Sequence, residues 1–145
     1  MAAALFHDCI EDTNVTHAQL AEEFSPAIAD LVEGVTKLTR INYVTMEEKQ
    51  MENLRKMLMA MNKDIRVVLV KLCDRLHNMR TMQYQTPQKQ RDKSRETLEI
   101  YAPIAHRLGM QRIKWELEDL SLRYLDPIGY KEIEEIGRAS CRERV

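Results

Sequence analysis

Leu5-Phe6-His7-Asp8-Cys9-Ile10-Glu11-Asp12-Thr13 sets one imidazole and three carboxylates within six residues of an otherwise apolar run. An alanine run precedes this stretch, and alanine favours the helix more than any other residue. In a helix, His7 lies one turn before Glu11 and Asp8 lies one turn before Asp12, so their side chains form two adjacent rows on one face. Imidazole and carboxylate groups in this arrangement predict a metal site.

A second stretch supplies the best partner for these groups. It reads Lys71-Leu72-Cys73-Asp74-Arg75-Leu76-His77-Asn78-Met79-Arg80-Thr81. Asp74, Asn78 and Thr81 follow one another at intervals of four and three residues, which places them on one stripe of a helix. This helix is apolar nearly all round before Asp74, and a buried carboxylate is costly without a cation. We therefore expect Asp74 to face the same metal ion as the His7-Asp8 pair.

The composition predicts an all-α fold. The chain has 145 residues, which suffice for one domain with a substantial core. Gly and Pro number four each, and no long alternation of β-branched and polar residues occurs. The one β-branched cluster, Val67-Val68-Leu69-Val70, lies inside a pattern of helical length.

Charge and cysteine usage exclude several classes of function. The 22 basic and 23 acidic residues give a net charge of −1, so the chain as a whole is not drawn to nucleic acid or to a membrane surface. Three cysteines without a C-x-x-C spacing argue against a disulfide framework and against a cysteine zinc site. No apolar run reaches the roughly 18 residues of a membrane span. We expect a soluble protein of the cytoplasm.

Capping signals predict the helices of the first half of the chain. Thr16 is expected to cap a short helix that ends at Glu23 or Phe24, and Ser25-Pro26 to open the next one. A loop is expected over Arg40 to Val44, followed by a capping box at Thr45-Met46-Glu47-Glu48. Asp64 is expected to cap a helix from Ile65 to about Met82. The methionine-rich helix between them should point five side chains inward: Met51, Leu54, Met57, Leu58 and Met61.

Proline and glycine positions predict the helices of the second half of the chain. A charged helix from Gln88 should be kinked by Pro103 and stopped by Gly109. Another helix is predicted from Gln111 to Tyr124, and a last one from Asp126-Pro127 to about Ile136.

Four separate stretches carry a resemblance to a known family. They are His7-Asp8 with Glu11-Asp12-Thr13, the run 71–81, Glu96 to Gly109, and Ile113 to Leu120. In order over residues 1 to 136, they resemble the (p)ppGpp hydrolase domain of RelA/SpoT homologues, an HD-domain-type helical bundle of the bifunctional, SpoT-like kind. The resemblance implies metal-dependent hydrolysis of the 3′-pyrophosphate of guanosine tetra- or pentaphosphate. The products are GDP or GTP and pyrophosphate, and the process is alarmone degradation in the stringent response.

The resemblance also assigns roles to residues. His7, Asp8 and Asp74 would bind the metal, together with one further histidine on a helix that would precede Met1. Glu11 and Asp12 would act as general acid and base on the attacking water and the leaving group. Asn78 and Thr81 would line the nucleotide pocket. The imidazole and carboxylate donors favour a hard or borderline ion with open positions, and Mn²⁺ fits best.

Several residues keep a second interpretation. Arg80 offers a bidentate fork for a phosphate, as does Arg75, but either can pair with a nearby acid. Glu11 and Asp12 can form a solvated helix end, and Thr81 can be an ordinary surface polar residue. His77 lies off the row of Asp74 and Asn78 and is assigned a structural role.

We interpret residues 1–136 as the hydrolase domain, truncated at its N-terminal side and ending at the start of a linker toward a synthetase domain. Residues 137–145, with three arginines and no apolar periodicity, are interpreted as a non-native tail. The expected partner is the guanine nucleotide substrate, with synthetase and regulatory domains in the parent protein and no direct contact with nucleic acid or membrane. Two alternatives remain: a catalytically incomplete fragment or regulatory module, and an HD phosphohydrolase that acts on other nucleotides.

Overall fold

The computed structural model describes residues 1–39 and 46–143, and every regular element in these ranges is helical. The all-α prediction is therefore confirmed for the described residues. The predicted loop over Arg40 to Val44 and the cap at Thr45 fall outside them. The α-helices are α1 Ala2–Leu5, α2 Cys9–Asp12, α3 His17–Glu23, α4 Pro26–Thr39, α5 Met46–Lys63, α6 Ile65–Arg80, α7 Pro87–Glu96, α8 Ala102–Arg107, α9 Gln111–Leu125 and α10 Pro127–Glu143.

The expectation of one continuous helix through the first stretch is wrong. Helix α1 ends at Leu5, and α2 begins only at Cys9. Between them Phe6 leaves the helical conformation and its ring packs on that of Phe24, with the centroids 4.6 Å apart. Helix propensity is a weak preference that such tertiary contacts override. His7 and Glu11 therefore do not lie on one continuous helix, whereas Asp8 and Asp12 remain one turn apart, with the Asp12 amide donating to the Asp8 carbonyl oxygen.

The chain divides into two compact units, and the first comprises Met1–Arg75. One core cluster of this unit consists of Ala3, Leu20, Ala29 and Val32, with Phe6, Ile10, Ala21, Ile28 and Leu31 packed against it. Helices α4 and α6 approach closely at Gly34, where a Cβ atom would lie 2.9 Å from Val67 Cγ2. This approach packs the first turn of α6 directly against α4.

The helix starts of the first unit follow the predicted caps. The Thr16 hydroxyl accepts from the Gln19 amide, and the Gln19 side chain accepts from the Thr16 amide, which completes a capping box. Ser25 Oγ accepts from the Ile28 amide ahead of α4. Asp64 accepts from the Arg66 amide at the start of α6.

The inward face predicted for α5 is only partly correct. Met57 is buried, whereas Met51 is 72% exposed and Leu58 38% exposed. Met51 and Leu58 point about 100° or more away from Met57 around the helix, so the face that α5 buries is narrower than predicted.

The second unit comprises Leu76–Val145, and its core includes Met79, Ile100, Ile104 and Leu117. The interruption expected at Pro103 takes the form of a π-helical turn, Thr97–Tyr101, between α7 and α8. A proline ring clashes with the carbonyl four residues earlier, here that of Glu99, and the wider π turn relieves this clash.

Helix ends in the second unit test two further predictions. Gly109 has a φ of +72°, its amide donates to His106, and the next amide donates from Met110 to Ala105. This is a Schellman ending, and the predicted stop is confirmed. The predicted end near Ile136 is wrong, because α10 continues to Glu143. One glycine, Gly137, costs a helix only about 1 kcal/mol, which is not enough to end it.

Candidate metal centre

His7 is held in one tautomer by the break between α1 and α2. Its Nδ1 atom lies 2.8 Å from the carbonyl oxygen of Ala4. A carbonyl oxygen can only accept, so Nδ1 carries the proton and donates this hydrogen bond. In the uncharged ring, this tautomer leaves the lone pair on Nε2. Metal-bound histidines are oriented in this way, with the second ring nitrogen bonded to a carbonyl or carboxylate.

The Nε2 atom faces two carboxylates. It lies 2.9 Å from Asp8 Oδ2 and 3.4 Å from Asp74 Oδ1. It is buried, and no hydrogen bond of acceptable geometry reaches it. Buried polar atoms without hydrogen bonds are rare in native structures. A buried imidazole nitrogen between two acidic groups fits a divalent cation, and the structure brings together the three residues expected to bind metal, His7, Asp8 and Asp74.

Asp74 is oriented by a buried lysine from its own helix. Lys71 Nζ donates to Asp74 Oδ2 over 2.9 Å, and the two side chains are 9% and 13% exposed. Burial raises the pKa of the Asp74 carboxyl, but the charge and hydrogen bond of Lys71, with smaller contributions from His7 and Arg75, hold that pKa below its usual range. Asp74 is thus ionised and has one oxygen turned toward His7.

Asp8 lies in a less favourable environment. Burial raises the pKa of its carboxyl; the charge of His7 lowers it, and the nearby carboxylates of Asp74 and Asp12 raise it again. The net result is a raised pKa. Carboxylates that repel one another in this way are the ordinary setting of a cation site, because a bound metal ion would reverse the balance.

Glu11 and Asp12, predicted as the acid and base, both lie in the single turn of α2 and are exposed. Asp12 is near enough to act on the pKa of Asp8. The structure therefore places a second acid beside the candidate metal ligands, with access to solvent.

The predicted nucleotide-binding residues belong to the second unit. Both nitrogens of the Arg80 fork are engaged by Glu116, with Nε 2.5 Å from Oε1 and Nη2 2.9 Å from Oε2. Arg80 thus adopts the local pairing that the sequence left open. The Thr81 hydroxyl donates to the carbonyl oxygens of His77 and Asn78. The roles of Asn78, Arg80 and Thr81 toward a nucleotide stay predictions.

A second group of ligand atoms, which sequence analysis did not identify, lies between α3 and α4. His17 Nε2 is 2.8 Å from Asp30 Oδ1 and 3.8 Å from Glu33 Oε2, and the three ligand atoms all lie within 4.8 Å of one another. The group is largely exposed, and Glu33 also pairs with Lys37 at 3.0 Å. The spacing of Asp30 and Glu33 by three residues on one helix was the available signal.

Comparison with known proteins identifies the family of this chain. The HD domain family matches residues 1–111, and the chain belongs to that family. HD domains are metal-dependent hydrolases. Among curated proteins, the chain is 53% identical over 146 residues to the guanosine-3′,5′-bis(diphosphate) 3′-pyrophosphohydrolase of Haemophilus influenzae. It is 51% identical over 144 residues to the bifunctional (p)ppGpp synthase/hydrolase SpoT of Escherichia coli K12, and 52% identical over 145 residues to a probable GTP pyrophosphokinase of Mycobacterium leprae.

These alignments each cover 99% of this chain but only 22%, 20% and 18% of the respective relatives. The chain therefore spans about a fifth of the length of the curated relatives it matches. The predicted resemblance is confirmed at this level. No helix in the described part of the chain has both the length and the apolarity needed to cross a membrane.

Proposed function

We propose that this chain is a hydrolase domain that removes the 3′-pyrophosphate from guanosine tetra- or pentaphosphate, with a metal ion held by His7, Asp8 and Asp74. The observation that carries the proposal is the buried Nε2 atom of His7, which lies between two carboxylates. The substrate is inferred from the relatives named as 3′-pyrophosphohydrolases, which are about 50% identical to this chain.

Mn²⁺ is the cation we propose. The donor set combines one imidazole with carboxylate oxygens and contains no thiolate, which favours a hard or borderline divalent ion over a soft one such as copper(I). When bound, such an ion neutralises phosphate charge and lowers the pKa of a water molecule.

In the proposed reaction, water adds to the phosphorus attached to the ribose 3′-oxygen, and the bond between that phosphorus and the 3′-oxygen breaks. One proton of the water must leave, and the 3′-oxygen must gain one. Glu11 and Asp12 lie in the turn next to the metal ligands, where they can accept the first proton and supply the second. The products are pyrophosphate and GDP or GTP.

The proposal is tested by measuring Mn²⁺-dependent release of pyrophosphate from guanosine tetraphosphate. The assay compares this chain with a longer one that includes the upstream segment of its parent protein. Asp74→Asn should abolish release in whichever chain is active, and Lys63→Gln, on the exposed surface of α5, should leave it unchanged. Release that persists in Asp74→Asn would refute the proposed site. A panel of other nucleotides tests the alternative of a less selective HD phosphohydrolase.

A second candidate is a module that keeps the fold but has no activity of its own. Relatives named as GTP pyrophosphokinases, in Mycobacterium leprae and Streptomyces coelicolor, are 52% and 53% identical to this chain, so similar domains occur in proteins named for synthesis. Activity in the longer chain alone would identify this chain as an incomplete fragment of an enzyme. Activity in neither would favour the regulatory module.

The proposal includes a cytoplasmic location. Cys9 and Cys73, the cysteines whose side chains the structure describes, are free thiols, which suits a reducing compartment.

A further inference from the structure

Lys71 is the residue of the candidate metal centre for which neither the sequence analysis nor the proposed reaction provides a role. It is 7% exposed, on a helix whose other buried side chains are mainly apolar. Lysine is almost never buried without a partner. Here the partner is Asp74, at 2.9 Å, and the lysine engages Oδ2 while Oδ1 faces His7.

We propose that Lys71 is an internal counter-ion that stands in for the metal: it keeps Asp74 oriented in the metal-free protein and, by its charge, weakens metal binding. The inference rests on the proposed metal site and concerns a positioning residue, because Lys71 contacts the ligand Asp74 and not the reacting atoms. Its geometry leaves Asp74 Oδ1 on the side of His7, while Oδ2 accepts from Lys71.

Two effects of Lys71 on metal affinity oppose each other. Its hydrogen bond fixes the Asp74 carboxylate, which favours binding, but its positive charge repels a dication held by the same carboxylate. The repulsion acts between a single and a double charge in a site shielded from water, where the effective dielectric constant is well below that of bulk water. The free energy of one hydrogen bond to a charged group is smaller than the free energy of this repulsion. The charge therefore decides the sign, and removing it should tighten metal binding.

The experiment measures the Mn²⁺ dissociation constant by calorimetry in the full chain carrying His17→Ala, which removes the imidazole of the second ligand group. Lys71→Met should lower the dissociation constant about tenfold or more. Lys71→Gln, which retains a hydrogen-bond donor without the charge, should tighten binding to a similar extent. Lys71→Arg, which keeps the charge, should stay close to the parent value.

Melting temperatures supply a second readout. In EDTA, Lys71→Met should melt below the parent because the buried Asp74 loses the charge that is hydrogen-bonded to it, and saturating Mn²⁺ should close most of that gap. Lys63→Gln removes one positive charge from an exposed position of the same unit and should change neither readout.

The outcomes separate the two proposals. Unchanged or weaker Mn²⁺ binding in both Lys71→Met and Lys71→Gln would overturn the role of Lys71 as counter-ion. If Lys71→Met does not fold, the comparison of Lys71→Gln with Lys71→Arg decides. Failure of Mn²⁺ to bind the parent chain, or binding that survives Asp74→Asn, would refute the metal site itself.

Discussion

Two aspartates of the candidate metal centre have pKa values displaced in opposite directions. The pKa of Asp74 is lowered and that of Asp8 is raised, although both face His7. The difference arises from Lys71, which is hydrogen-bonded to Asp74 but acts on Asp8 only weakly and from a distance. Stability should therefore depend on pH in a different way at each residue.

We predict that Asp74→Asn loses about 3 kcal/mol of unfolding free energy at neutral pH in EDTA, because a buried ion pair loses one partner. Because the pKa of Asp74 is lowered, its ionised carboxylate stabilises the fold at pH values above the ordinary pKa of 3.8. This contribution is lost as the pH falls through the pKa of the folded state. Urea denaturation from pH 7 to pH 3 measures it. A gap between the two proteins that stays constant over this range would contradict the assignment.

We predict the opposite behaviour for Asp8→Asn. Because the pKa of Asp8 is raised, the folded state loses stability as the pH rises from the ordinary pKa of 3.8 to the higher pKa of Asp8 in the folded protein. Ionised Asp8 therefore destabilises the metal-free protein at neutral pH. The variant should melt slightly higher in EDTA but gain less from Mn²⁺. The side chain is 55% exposed, so the gain stays below about 1 kcal/mol. A lower melting temperature in EDTA together with a full Mn²⁺ response would refute this account.

At the scale of elements, the contact between α4 and α6 depends on the absence of a side chain at Gly34. Alanine there would gain up to about 1 kcal/mol in helix propensity. It would also place Cβ 2.9 Å from Val67 Cγ2, and a β-branched side chain cannot easily rotate away. Overpacking of this kind costs about 1–3 kcal/mol.

We therefore predict that Gly34→Ala destabilises the protein by about 1 kcal/mol in chemical denaturation. The matched control is Gly137→Ala in α10, where a Cβ atom would meet nothing within 4 Å. That change should stabilise by up to about 1 kcal/mol. Equal effects of the two substitutions would show that α4 and α6 have room to separate.

The elements also show which features sequence can predict. Thr16, Ser25, Asp64 and Gly109 act through hydrogen bonds or backbone angles that span only a few residues, and each was predicted correctly. The break after Leu5 was not predicted, because it depends on the contact of Phe6 with the ring of Phe24, a residue at the end of α3 and far along the chain. Local signals suffice for caps, whereas tertiary contacts decide where a short helix stops.

The same distinction applies to the candidate site. Resemblance to a family identified His7, Asp8 and Asp74, and the structure brings them together. Lys71 was missed because a lysine three residues before an aspartate on a helix is ordinarily a surface pair worth little. Only its burial gives that pair significance, and burial is a property of the folded unit.

At the scale of the whole molecule, every candidate metal ligand lies in the first compact unit, Met1–Arg75. We predict that Mn²⁺ slows amide hydrogen exchange in α1, α2 and the part of α6 up to Arg75, because binding energy is added to the local opening free energy of the elements that hold the ion. Mass spectrometry of exchanged peptides measures the effect, with Asp74→Ala as the variant in which it should vanish.

Protection confined instead to α3 and α4 would show that the ion prefers His17, Asp30 and Glu33. That result would leave the fold and the family unchanged but would move the metal away from His7. The two groups can thus be told apart without an activity assay.

The π turn between α7 and α8 has a consequence for variation in chain length. Such a turn holds one residue more than the α-helix would, and each residue of an α-helix rotates the chain by about 100°. Removing a single codon from this turn, at the exposed Glu99 for instance, would leave the flanking faces in phase but would bring the ring of Pro103 back against the carbonyl four residues earlier. The same deletion elsewhere in α7 would rotate its buried face into water, so the extra residue of the turn is needed as long as Pro103 follows it.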